Sequence, residues 1–156
     1  MKNKIFILIA VAALSPAVLS AQEAFNFMSF DIGSRIQVDT NDSNAVSPLN
    51  TFGINFRVAS PLIVGATYNG AGNQTMFTIK YDVMPLVRAA FGFGSVTVLA
   101  SQQMVTALGF EAIPFRRQVS GLFTEFKVIT MYEFLPAITG IEKGTIQFGL
   151  ALGVGF

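Results

Sequence analysis

The chain has 156 residues, with 10 Lys+Arg against 9 Asp+Glu, and only 12% of it is charged, half the roughly 25% of an ordinary soluble domain. The near-neutral balance offers no basic surface for nucleic acid. With no cysteine and no histidine, disulfides, thiolate or histidine metal sites and a Ser-His-Asp acyl-transfer site are excluded.

Met1-Lys2-Asn3-Lys4, the apolar run from Ile5 to Leu14 and the small residues at Ser20 and Ala21 read as a secretory signal peptide. The run falls short of the roughly 20 residues of a membrane helix. Cleavage is expected after Ala21, so residues 1–21 leave and 22–156 form one domain. Removing Lys2 and Lys4 leaves 8 cations against 9 anions, a net charge of about −1. No later segment has the 18 or more apolar residues of a spanning helix. The remaining way for so oily a chain to cross a bilayer is a closed barrel, because lipid cannot satisfy free backbone groups.

From Phe27 to Asp39, Met28, Phe30, Ile32, Ile36 and Val38 alternate with Ser29, Asp31, Gly33, Arg35 and Gln37. A strand turns successive side chains to opposite faces, so this is a first strand with one apolar face. The polar stretch 39–49 reads as a loop. Its oxygen-rich start lacks the glycine and the final acid of a calcium loop, and no metal is expected there. A second strand from Asn50 sets Phe52, Ile54, Phe56 and Val58 against Thr51, Gly53, Asn55 and Arg57, and Ser60-Pro61 turns the chain. The third, 62–69, and the fourth, 75–82, repeat the pattern, with Lys80 and Asp82 among the polar set. Val83 to Leu86 is a short turn, and the fifth strand, 87 to about 96, opposes Val87, Ala89, Phe91 and Phe93 to Arg88, Ala90, Gly92 and Gly94. The register of 97–103 is open.

A sixth strand is predicted over 104–113 with Glu111 inward, Pro114-Phe115 as a third short turn, and a seventh strand over 116–128 with Leu122, Phe126 and Val128 outward and Gly121, Glu125 and Lys127 inward. The apolar stretch 129–143 is predicted as the longest loop. In the last strand Ile146, Phe148, Leu150, Leu152, Val154 and Phe156 take one face, while Thr145, Gln147, Gly149, Ala151, Gly153 and Gly155 take the other.

The expected fold is therefore all-β, an eight-stranded antiparallel up-and-down transmembrane β-barrel, with long and short connections alternating. Five prolines, Pro48, Pro61, Pro85, Pro114 and Pro136, fall in predicted connections. Ten glycines face the lumen and none faces lipid. No assigned outward position holds a charge, and Arg or Lys there would cost roughly 2–4 kcal/mol at the midplane. A soluble barrel would reverse the faces.

The chain resembles the small outer-membrane barrels of the OmpX, OmpW and OmpA-membrane-domain type over 27–156. The most specific likeness is its end, Gly149-Leu150-Ala151-Leu152-Gly153-Val154-Gly155-Phe156. It is similar to the C-terminal signal read by the barrel-assembly machinery, with Phe156 as the final aromatic and Val154 two residues before it. Ala151 stands where the pattern has glycine. The resemblance implies an outer-membrane location in a two-membrane bacterium, contact with outer-membrane lipid and a monomer.

The predicted inward charges are Asp31, Arg35, Arg57, Lys80, Asp82, Arg88, Glu111, Arg117, Glu125 and Lys127. Asp31, Arg57, Lys80 and Glu111 fall toward the periplasmic half and Arg35, Glu125 and Lys127 toward the outer half. Asp31 and Glu111 are expected to partner Arg57 and Lys80. The network reads as a plug in a structural or surface-interacting protein without catalysis or cofactor. The alternative is a narrow channel for small solutes, gated by exchange of salt-bridge partners between water pockets left by the glycines. The 129–143 loop offers a surface to an extracellular partner, or else the last hairpin continues beyond the bilayer or folds over the barrel mouth.

Overall fold

A computed structural model describes residues 27–40, 46–70, 73–98, 101–138 and 141–156. The signal peptide, its cleavage point and the 41–45 part of the oxygen-rich loop lie outside them, as do the side chains of Leu135, Pro136 and Ile138. The strands are β1 Met28–Asp39, β2 Val46–Ala59, β3 Leu62–Asn69, β4 Gln74–Met84, β5 Val87–Val98, β6 Ser101–Val119, β7 Leu122–Ile138 and β8 Ile141–Gly155. Each pairs antiparallel with the next and β8 pairs with β1, closing the barrel. The end residues complete the seam, since Phe27 N donates to Phe156 O at 3.0 Å and Phe156 N to Met28 O at 2.9 Å.

Paired residues followed around the wall from Met28 through Phe56, Val64, Ile79, Phe91, Leu108, Tyr132 and Ile146 lead back to β1 at Val38, ten residues beyond the start (28 to 38). With a rise of about 3.3 Å per residue and strands about 4.8 Å apart, that stagger tilts the strands by about 40°. A barrel of this size is filled by its own side chains.

The faces are inverted relative to a soluble barrel. Ile32 is 66% exposed on the outer surface, while Lys127 is 0% exposed in the lumen. Aromatic rings meet edge-on or stacked across the outside, as in Phe77–Phe93 with centroids 5.7 Å apart and Tyr132–Phe134 at 4.6 Å.

The second half departs from expectation in an instructive way. Pro114-Phe115 is no turn; β6 runs through it to Val119, and the turn is Ser120-Gly121, with φ of 52° and 84°. Positive φ at both central residues suits the right-handed twist of a two-residue hairpin. Ala112 pairs with Val128 and Phe115 with Phe126, so two residues, Ile113 and Pro114, oppose Lys127 alone. This bulge accommodates Pro114, which has no N–H for the ladder, and it reverses the parity of β6. Beyond it Arg116 turns inward, whereas Arg117, predicted inward, is exposed on the outer face. Gly121 likewise belongs to the turn rather than the lumen.

Most of the predicted 129–143 loop is strand, with β7 reaching Ile138 and β8 starting at Ile141. A membrane-crossing strand needs roughly 9–11 residues, so β6, β7 and β8, at 19, 17 and 15, project past a bilayer. The last hairpin thus continues as paired strand through most of this stretch, and the expected alternation of long and short connections lapses at 99–100 and 139–140. Three of the five prolines also stand in strands. Pro114 and Pro136 sit at register shifts, and Pro48 lies where β2 pairs with β1 but has run past β3. Gly144 takes the outward parity, and a side chain there would meet the Tyr132 hydroxyl at 2.0 Å.

Glycine is required where a neighbour occupies its side-chain space. A Cβ at Gly94 would lie 2.0 Å from the Thr75 carbonyl, against 3.5 Å for the nearest atom at Gly53. Gly94→Val should therefore destabilise the barrel by about 1–3 kcal/mol and Gly53→Ala should be nearly neutral. Urea unfolding in detergent micelles checks this; equal midpoints for the two variants would contradict it.

Candidate functional site

The charges converge on the lumen at the end that carries the short turns Ser60-Pro61, Pro85-Leu86 and Ser120-Gly121. Glu125 on β7 is central: Arg88 Nη1 and Nη2 donate to its two oxygens at 2.9 Å each, Arg116 Nε donates at 2.9 Å, and Lys127 Nζ lies at 3.4 Å. Arg88 Nε also donates to Asp82 at 2.7 Å, and Asp82 accepts from Arg57 Nη2 at 2.9 Å. On the other side Lys127 Nζ donates to Asp31 at 2.6 Å, and Lys80 Nζ to Glu111 at 2.5 Å. Asn55 Nδ2 completes the shell of Asp31 at 2.9 Å. Strand alternation puts all these side chains inside, and the stagger brings β1, β4, β5, β6 and β7 to one height.

Two contacts are longer. Lys80 Nζ lies 3.9 Å from Asp31, and Arg88 Nη1 lies 3.8 Å from Glu111. Each cation thus has a second carboxylate close by. Five cations, Arg57, Lys80, Arg88, Arg116 and Lys127, face four carboxylates, Asp31, Asp82, Glu111 and Glu125. Burying a charge without a partner is costly, and this mutual pairing offsets that cost.

Above the cluster the lumen is packed by Met76, Val105, Ala107, Ile129, Met131 and Ala151. The long ones lie over glycine. A Cβ at Gly92 would meet Met76 Sδ at 2.3 Å, one at Gly109 would meet Met131 Cγ at 2.7 Å, and one at Gly149 would meet Arg35 Cγ at 2.4 Å. The glycines are thus filled from the neighbouring strand, which corrects the expectation that they leave water pockets. A smaller polar layer follows toward the far end. Arg35 Nη1 donates to Gln147 Oε1 at 3.0 Å and to Met131 Sδ at 3.3 Å; Glu133 accepts from Gln74 at 2.8 Å and Thr145 at 3.2 Å; Asn69 bonds Gln74.

Asp31, Arg35, Arg57, Lys80, Glu111, Glu125 and Lys127 therefore all line the lumen, and all but Arg35 join one network. Glu125 and Lys127 belong to the short-turn end rather than the opposite half, because β7 begins at Leu122, six residues later than its predicted start at 116. Lys80 pairs with Glu111 as expected, but Arg57 takes Asp82, and Asp31 is held chiefly by Lys127. Arg116 was passed over because the bulge hides its parity, and Glu133 because its segment is too apolar to read as lumen wall. Val154 and Phe156 face outward, and Phe156 meets Phe30 edge-on at 6.4 Å. Among the described residues, no group of three or more acidic side chains is placed to hold a metal.

Replacing Glu125 by Gln takes a carboxylate from Arg88, Arg116 and Lys127 at once. The expected loss is about 3–5 kcal/mol, the scale of a broken buried ion pair. Arg57→Gln, at the edge of the network, should cost clearly less. Chemical unfolding in micelles compares them, and a Glu125→Gln loss no larger than that of Arg57→Gln would contradict the central place given to Glu125.

No family model matches the chain, and no curated protein matches it. Among solved structures it is similar to a de novo designed transmembrane β-barrel, at TM-score 0.47 and 14% identity over 80% of this chain and 94% of that one. It is also similar to the crystal structure of Neisserial surface protein A (NspA), at TM-score 0.49 and 10% identity over 86% of this chain and all of that one. The architecture rests on the chain itself: a closed eight-stranded antiparallel barrel of transmembrane type, apolar outside and charged within.

Proposed function

We propose that this protein is an integral outer-membrane β-barrel with a structural or surface-interacting role and no catalytic activity. The observation that carries the reading is the filled lumen, with an ion-paired cluster at the short-turn end and Met76, Ile129 and Met131 packed above it. The chain has no histidine, the four carboxylates of the cluster are engaged by lysine and arginine, and Glu133 is held by Gln74 and Thr145, which argues against general acid–base work among the described residues. The continuation of β7 and β8 to Ile138 and Ile141, at the end opposite the short turns, supplies the part of the molecule that a partner outside the cell would meet. In this reading the short turns face the periplasm, the barrel is monomeric, and the barrel-assembly machinery inserts it after export.

The second reading, a slender channel for small solutes, draws on the longer contacts of Lys80 with Asp31 and of Arg88 with Glu111. Partner exchange at those two places would loosen the plug without leaving a charge alone. Planar-bilayer recording separates the two readings. Electrical silence of the purified protein is the expected result; current steps that change in Arg35→Ala or Glu125→Ala would replace the structural role by the channel.

Phe156 lies on the closing seam, and its removal takes away both hydrogen bonds to the start of β1. Deleting it should impair insertion, seen as loss of heat-modifiable migration on gels. Unchanged migration would count against Phe156 as an assembly signal.

A further inference from the structure

Arg117 is the one charged side chain on the outer face among the described residues, and its position follows from the bulge. Ile113 N still reaches Leu86 O at 2.8 Å, and Ala112 still pairs with Val87 of β5. Below that point 114–119 pairs with β7 alone, so this stretch of β6 runs past the end of β5 at the short-turn end, while β7 stays paired with β8 as far as Phe123 and Gly155. The parity change divides two adjacent arginines. Arg116 turns in, donating through Nε to Glu125 at 2.9 Å and through Nη1 to Pro85 O at 3.3 Å. Arg117 turns out opposite Thr124, between the exposed side chains of Phe115 and Val119 and near Leu122. Among the described residues it has no ion-pair or hydrogen-bond partner.

Building on the membrane reading above, we propose that Arg117 binds the phosphate of a phospholipid headgroup in the leaflet at the short-turn end, fixing the depth at which the barrel sits. The site continues the apolar belt. Phe115, Val119 and Leu122 supply surface for the upper acyl chain and glycerol region, while the guanidinium stands where the belt ends and the headgroups begin. An arginine fork matches a phosphate's paired oxygens, and the attraction is one of opposite charge. At the edge of the hydrocarbon a cation is cheap, whereas at its centre it is not. The bulge is therefore more than an allowance for Pro114: it places one of two neighbouring arginines on the plug and the other on the membrane.

The test is solid-state NMR of the full-length mature barrel carrying ¹³Cζ-arginine, reconstituted in phosphatidylcholine vesicles in phosphate-free buffer. Dephasing of arginine carbons by lipid ³¹P is measured. The other four arginines, Arg35, Arg57, Arg88 and Arg116, face the lumen and serve as an internal control. The expected result is dephasing of one arginine carbon, abolished in Arg117→Gln, with heat-modifiable migration kept. Dephasing that survives in Arg117→Gln overturns the assignment, as does insertion with no arginine near phosphorus. An equal signal from inorganic phosphate in phosphate-free galactolipid vesicles overturns the lipid as the source. Failure to insert at all overturns the membrane reading along with this one.

Discussion

Hydrocarbon offers no hydrogen bond, and the architecture follows from that constraint. Every strand must find a partner on both sides wherever lipid touches it, so β8 has to return to β1, and the hydrogen bonds of Phe27 and Phe156 complete the closure. A closed wall of eight strands with a stagger of ten residues then sets the tilt and the bore together. The outside must be apolar, so the polar residues have the lumen or the ends of the molecule as their places.

The narrow lumen imposes a second constraint. Long charged side chains fit only if the facing wall is small, and that accounts for a glycine beneath Arg35, Met76, Met131 and the Asp31–Lys127 pair. Space and charge are solved together at Gly153, where a Cβ would crowd Asp31 Oδ1 and Lys127 Cε, so the bare backbone leaves room for that ion pair. Pairing matters because the ions have been taken out of bulk water, and the layered result of a salt-bridged end, a methionine-filled middle and an amide-rich far layer reads as a solid interior.

Much of this was legible in the chain. Period-two alternation identifies the inward and outward sets over the predicted stretches of β1 to β5 and β8, though not over 46–49 or 97–98, because one face is monotonously apolar and a slip of one residue would bury it. It lost its grip where the period itself breaks. At Pro114 the usual inference, that proline marks a connection, is correct for Pro61 and Pro85 but fails at a bulge, where the missing N–H is not needed. Ser120-Gly121 was the turn signal present in the sequence, a serine-glycine pair between apolar residues. Placing the turn there would have put Glu125, Lys127 and Arg116 in their observed positions. The apolar run from Met131 to Ile138 misled for another reason: with Phe, Tyr and Met among its residues it resembles an exposed patch. In the barrel its alternate members divide between Met131 and Glu133 in the lumen and Tyr132 and Phe134 outside. Pairings between strands that are not adjacent, such as Asp31 of β1 with Lys127 of β7 over Gly153 of β8, depend on the stagger, which only the closed sheet reveals.

The account stands on the inversion of faces, and apolar residues of both kinds provide the most direct measurement. A lipid-phase paramagnetic probe, a nitroxide on a fatty-acyl chain, should broaden the NMR signals of Ile32, Phe91, Leu108 and Leu152 in the reconstituted barrel. Met76, Ile129 and Met131, equally apolar but inside, should stay sharp. Broadening of Met76 and Met131 with sparing of Phe91 and Leu108 would contradict the account at its root.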